Sequence, residues 1–175
     1  MLFRTAALIG KYRAQGIAEP LFALADFLTQ RGVNVIFEQE TAESIGAPPE
    51  MSRTTEQIGA EANVAIVVGG DGTMLGIARQ LARFEVPLIG INKGRLGFMT
   101  DIPLAQQFDA IGAMLNGDFM SDRRTMLEAR VLRPEGDSVT TIFEAVALND
   151  VVVARGAVSG MIEISVEVDG LYTYT

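Results

Sequence analysis

The 175-residue chain contains no cysteine and no histidine. The first absence excludes disulfides, thiol nucleophiles and thiolate metal sites within it. The second removes the usual general base, the Ser-His-Asp and Cys-His arrangements and most zinc sites. Acid–base chemistry is left to carboxylates, lysine, tyrosine or an external group. Lysine is scarce as well: Lys11 and Lys93 are the two, and the other basic residues are arginines. No stretch approaches the roughly 20 apolar residues that cross a bilayer, and Met1-Leu2-Phe3-Arg4 lacks the pattern of a secretory signal. A cytoplasmic protein with no membrane partner is therefore expected. The net charge of −8 argues against a nucleic acid partner, whose phosphate backbone demands a basic face. A small anionic ligand needs only local positive potential.

What is present is a globular composition, 49% hydrophobic and 21% charged, in a length that allows one α/β domain and part of a second. The most informative segment is Gly69-Gly70-Asp71-Gly72-Thr73. Before it runs Asn63-Val64-Ala65-Ile66-Val67-Val68, a continuous apolar stretch that reads as a buried strand. After it, Met74 to Ala82 carries apolar residues at helical spacing. A carboxylate thus sits in a glycine-rich strand-to-helix turn, where backbone can approach a phosphate and a helix N-terminus favours negative charge. No Gly-Lys-Ser/Thr follows, so the turn is not the lysine-containing phosphate loop.

Similar reasoning along the chain predicts strands at Phe3–Ile9, Val33–Phe37 and Val86–Ile91. It predicts helices at Ile17–Gln30, with Leu21, Leu24, Ala25 and Leu28 on one face, near Thr54–Ala62, and at Pro103–Leu115. Glu38 to Ser52, with Pro48-Pro49, reads as a surface loop. Alternating strands and helices imply a Rossmann-like parallel α/β sheet, expected over residues 1–117. From 118 to 175 the rhythm changes to strand-like segments separated by turns: Met126–Leu132, Val139–Ala147, Asp150–Ala154 and Met161–Val168. This is expected to begin an antiparallel β-rich second domain. The chain ends in the strand-like Leu171-Tyr172-Thr173-Tyr174-Thr175, so a piece of a longer protein is expected.

Ligands of open parallel sheets bind beyond the carboxyl ends of the strands. Three strand ends here carry unusual loops: Gly10-Lys11, Gly69–Thr73 and Asn92–Phe98. Both lysines follow these strands, as phosphate partners or as solvated loop charges. Asp71 either satisfies backbone donors of its turn or serves chemistry, orienting Mg²⁺ or accepting a proton from an attacking hydroxyl. Thr73 either caps the helix or contacts phosphate. Phe98 is a core plug or a face for stacking a base. Asn149-Asp150, inside an apolar run, is a turn or a hydrogen-bonding pair for a ligand.

Taken in this order, Gly69–Thr73, Gly90-Ile91-Asn92 with Gly94-Arg95-Leu96-Gly97-Phe98, and Asn149-Asp150 resemble the ATP- or polyphosphate-dependent NAD kinase family. The glycine turn alone is shared with diacylglycerol and sphingosine kinases and, more loosely, with phosphofructokinases; the Asn92–Phe98 loop is the more specific part. The resemblance implies phosphoryl transfer from ATP or polyphosphate, with a divalent metal, magnesium by family habit, to the adenosine ribose 2′-hydroxyl of NAD. It implies that Asp71 is the catalytic proton acceptor and that Asp71, Gly72, Phe98, Asn149 and Asp150 bind the dinucleotide. Gly69, Gly70, Thr73, Lys93 and Arg95 are candidate phosphate contacts; no metal ligand is assigned. Where many bacterial members place a polar or histidine contact downstream of the Asn-Asp pair, this chain has Ser159-Gly160. The family's Thr-Pro-Thr-Gly-Ser-Thr-Ala-Tyr segment does not occur in it, and the Asp-Gly segment that leads into that motif is expected beyond Thr175. A homo-oligomer is expected. The alternatives are a diacylglycerol-type lipid kinase and a non-catalytic nucleotide-binding module.

Overall fold

The computed structural model describes residues 3–94, 97–154 and 161–175. Its main body is a six-stranded, all-parallel sheet. The strands are β1 (Thr5–Gly10), β2 (Asn34–Glu38), β3 (Ser52–Arg53), β4 (Val64–Gly69), β5 (Leu88–Asn92) and β6 (Ile102–Pro103). They lie in the order β3-β2-β1-β4-β5-β6. The first half is laid outward from β1 in one direction and the second half, from β4, in the other. The reversal falls between β1 and β4, and crevices for ligands open at such points.

Both faces of the sheet are covered, which is why the central strands read as unbroken apolar runs. In β1, Ala6 and Leu8 face one core, with Leu21, Leu24 and Leu28 of α1 (Ala18–Thr29) and Ile111 of α5 (Gln107–Leu115). Ala7 and Ile9 face the other, with Ile58 of α3 (Thr55–Glu61) and Met74 and Leu81 of α4 (Asp71–Leu81). The buried face of α1 is the one its spacing predicts. The helix is followed by Gly32 at φ 78°, a left-handed conformation that glycine adopts at little cost.

Four expectations are corrected. Glu38–Ser52 is not a plain loop: it holds α2 (Gln39–Ile45) and a 3₁₀ turn at Pro49–Met51. The Glu38 carboxylate caps α2, accepting from the Glu40 and Thr41 amides at 2.8 Å each, and Gly46 ends it at φ 69°. Pro103 does not open a helix; it closes the edge strand β6, and α5 starts after a 3₁₀ turn at Leu104–Gln106. Proline suits an edge strand because it has no N–H to offer the ladder. Thr73 does not cap α4, whose N-cap is Gly70.

The fourth correction concerns the β region. An antiparallel hairpin of β7 (Leu127–Glu135) and β8 (Ser138–Ala147) follows the sheet, as expected, and β9 (Val166–Val168) pairs antiparallel with β10 (Leu171–Tyr174). Val151–Ala154 and Met161–Ser165, however, form no strand. Their β-branched composition favours extended backbone, but they have no ladder partner among the described residues. No helix among the described residues is long and apolar enough to cross a membrane.

Candidate functional site

The glycine turn and the loop after β5 are brought together by the adjacency of β4 and β5. Gly69 stands in register with Asn92, and the Lys93 amide donates to the Gly69 carbonyl at 3.1 Å. Asp71 is the first residue of α4, which begins without a side-chain cap. The half-buried carboxylate does not bond to its own turn. It reaches the facing loop, where Oδ2 accepts from the Phe98 amide at 2.7 Å. Oδ1 accepts from the Met99 and Thr100 amides and the Thr100 hydroxyl, each at 3.0 Å.

Donors of this kind favour the charged form. The Phe98 amide first, then the Thr100 amide, hold the Asp71 carboxyl below its ordinary value, against the opposing effect of burial. Asp71 is thus ionised at neutral pH and rigidly aimed.

Gly97 is the steric condition for this arrangement. A Cβ there would fall on the Asp71 carboxylate and lie 2.6 Å from the Thr100 hydroxyl. Gly69 is similarly constrained, since a Cβ would come within 2.8 Å of Thr73 Oγ1. Gly70 and Gly72 differ. Nothing lies within 4 Å of a Cβ at either, and Gly70 has φ −128°, open to any residue. The fold itself does not require glycine at these two positions.

Phe98 is no core plug. It is 82% exposed, and the Arg124 guanidinium sits 5.7 Å from its ring centroid. On the other side of the turn lies a cleft of about 840 Å³, bordered by Lys11, Tyr12, Glu38, Thr55, Gly70 and Gly72 among others. Asp71 does not line it. The cleft opens at the β1–β4 reversal, and its size falls within the roughly 300–1,000 Å³ of small-molecule sites. Lys93, by contrast, donates its ammonium to the Gln15 carbonyl and does not border the cleft.

Asn149 lies in a bend after β8, and it and Asp150 are exposed. Among the described residues they make no hydrogen bond to Asp71. Arg95, Ser159 and Gly160 lie outside the described residues. No group of three or more carboxylates that could hold a metal ion occurs among the described residues.

Sequence reading missed Thr100, the Asn92 side chain and Gly97 as parts of this site. Thr100 and Asn92 are both buried polar residues, 0% and 4% exposed. A polar residue directly after Phe98-Met99 was the available signal.

The family model described as the ATP-NAD kinase N-terminal domain matches residues 7–119. An NAD kinase of Methylibium petroleiphilum is 54% identical over 166 residues, covering 95% of this chain and 55% of the relative. An NAD kinase of Cupriavidus pinatubonensis is 50% identical over 172 residues, covering 98% of this chain and 55% of the relative. The chain therefore spans about half the length of these curated relatives. Among solved structures, yeast NADH kinase complexed with NADH superposes with a TM-score of 0.66 at 21% identity, over 85% of this chain and 48% of that one. That likeness bears on the fold.

Proposed function

The chain belongs to the NAD kinase family, and on that premise we propose that the full-length protein transfers a phosphoryl group from ATP or polyphosphate to the adenosine ribose 2′-hydroxyl of NAD, giving NADP. The observation that carries this reading is the two-sidedness of the glycine turn. Its backbone at Gly70 and Gly72 borders the cleft, while the Asp71 carboxylate faces the 97–100 loop. Phosphoryl transfer needs a donor and an acceptor hydroxyl held in line across one point.

In this reading the donor phosphates lie in the cleft, where Gly70 and Gly72 leave room for close approach and Lys11 supplies positive charge. Lys93 and Arg95 are the other proposed counter-charges. Lys11 is the better placed lysine, because the Lys93 ammonium already serves the Gln15 carbonyl. The NAD adenosine lies on the opposite side, its base against the exposed Phe98 ring and its 2′-hydroxyl on Asp71. Asn149 and Asp150 complete the dinucleotide contacts. Asp71, with its proton affinity lowered by four donors, aligns the hydroxyl and takes its proton late. A loose transition state asks little more of a base.

Magnesium fits this site as part of the donor, bound through its phosphates, since such sites commonly use few protein carboxylates. The described residues build no separate metal cage. We further propose a domain boundary near residues 117 and 118, a cytoplasmic location and a homo-oligomeric state. The family match favours a dinucleotide acceptor over a lipid.

Lys11→Ala tests the two-sided site. Its KM for ATP is expected to rise about tenfold, roughly the worth of one charge-assisted phosphate contact, while the KM for NAD stays within about twofold. Steady-state kinetics with each substrate varied in turn reads this. A rise confined to NAD would place the donor elsewhere.

A further inference from the structure

The hydrogen-bond directions behind Asp71 are fixed, and they make its two oxygens unequal. Asn92 ends β5, buried, with its Oδ1 accepting from the Gly94 amide at 2.7 Å. Its Nδ2 lies 3.2 Å from the Thr100 carbonyl oxygen and 2.8 Å from Thr100 Oγ1. The reversed amide would set oxygen against a carbonyl and NH₂ against an N–H, so a single orientation satisfies both neighbours. Nδ2 therefore donates to Thr100 Oγ1. The hydroxyl, having accepted that proton, directs its own to Asp71 Oδ1 at 3.0 Å.

The consequence is an imbalance on the carboxylate. Oδ1 receives three donors and Oδ2 receives one. A carboxylate oxygen offers about two lone-pair sites, so Oδ1 is saturated and Oδ2 keeps one free. We propose that Thr100, oriented by Asn92, is a positioning residue that occupies Asp71 Oδ1 and leaves Oδ2 as the oxygen that meets the acceptor hydroxyl. This rests on the phosphoryl-transfer reading above. In that step the ribose O–H proton passes to Oδ2 and a ribose O–P bond forms. The bridging P–O bond of the donor breaks, releasing ADP or shortened polyphosphate.

Neither Thr100 nor Asn92 touches substrate in this scheme. Thr100 is fully buried, so its effect runs through Asp71. Its loss is expected to disturb the turnover step more than the binding of NAD.

The test is Thr100→Val, which removes the hydroxyl and keeps a similar volume, beside Thr100→Ser, which restores the hydroxyl without the methyl group. In the full-length protein, Thr100→Val is expected to lower kcat about 10- to 100-fold, the scale of a misplaced reacting group. Its KM for NAD should stay within about twofold, and Thr100→Ser should recover most of kcat. An unchanged kcat in a folded Thr100→Val protein, or a serine variant as slow as the valine one, would overturn the proposal. Should valine against the Asn92 amide prevent folding, Thr100→Ala removes the hydroxyl with less intrusion. If the unaltered protein makes no NADP, the kinase reading fails separately. Amide hydrogen exchange of Phe98 and Met99 then decides the positioning claim: faster exchange in Thr100→Val supports it, and unchanged exchange refutes it.

Discussion

Asp71→Asn is expected to lower NADP formation by the full-length protein about 100- to 10,000-fold, the range that a positioned acid–base group contributes. The loss has two physical sources. Asparagine cannot take up the proton of the ribose hydroxyl, and it cannot satisfy the loop. The Asp71 carboxylate accepts from three backbone amides and one hydroxyl. Whichever way an amide side chain is turned, its NH₂ faces at least one of those N–H donors. The 97–100 loop is therefore expected to loosen, with faster amide exchange at Phe98 to Thr100. The buried residues of the two hydrophobic cores lie outside this loop, which adds only Met99 at the margin of one of them, and the chain stays folded. Steady-state kcat and the exchange rates check the two parts separately. A folded variant with kcat within tenfold of the parent would remove Asp71 from the chemistry.

Gly97→Ala is expected to be nearly as damaging, through geometry alone. The added Cβ would overlap the Asp71 carboxylate and press on the Thr100 hydroxyl. Those atoms are held by the same four hydrogen bonds, so the side chain cannot swing away without breaking them. The loop must shift, and a displacement of about 1 Å at a reacting group costs roughly 100-fold in rate. The melting temperature should change little, because Gly97 belongs to neither core. Gly72→Ala is the informative contrast. Nothing lies within 4 Å of a Cβ there, so the protein should fold normally, and weaker ATP binding, measured by titration calorimetry, would reflect the ligand's approach alone. Normal kinetics in Gly97→Ala would mean that the loop's contact with Asp71 is not needed for turnover.

How much of this could be read in advance differs by element. The central strands were legible because a parallel strand covered on both faces must be apolar throughout, as Val64 to Val68 is. The buried face of α1 was legible from spacing alone. By contrast, α2 was hidden, since Gln39–Ile45 buries only Thr41 and Ala42 and so carries no apolar stripe. Its cap is a glutamate, outside the usual N-cap residues. Pro103 misled because proline suits an edge strand as well as a first helical turn. The extended Val151–Ala154 segment misled because strand composition does not supply a partner strand.

The site divides in the same way. The glycine turn, Asp71 and the exposed Phe98 stood out as local anomalies in sequence. The bonds from Asp71 to Phe98, Met99 and Thr100 did not, because they join residues 27 to 29 positions apart. They depend on β4 and β5 lying side by side. A polar residue after Phe98-Met99 is the one local sign of Thr100, and Asn92 carries none; the role of both arises from a network visible only when the two loops face each other.

The most direct measurement is of product: the full-length protein incubated with NAD, ATP and Mg²⁺, with NADP read by an NADP-specific dehydrogenase. NADP, phosphorylated at the adenosine 2′-hydroxyl, is the expected product of the parent, formed at least 100-fold more slowly by Asp71→Asn. A folded parent that binds NAD yet yields no NADP, with either ATP or polyphosphate as donor, would contradict it and mark the protein as a nucleotide-binding module.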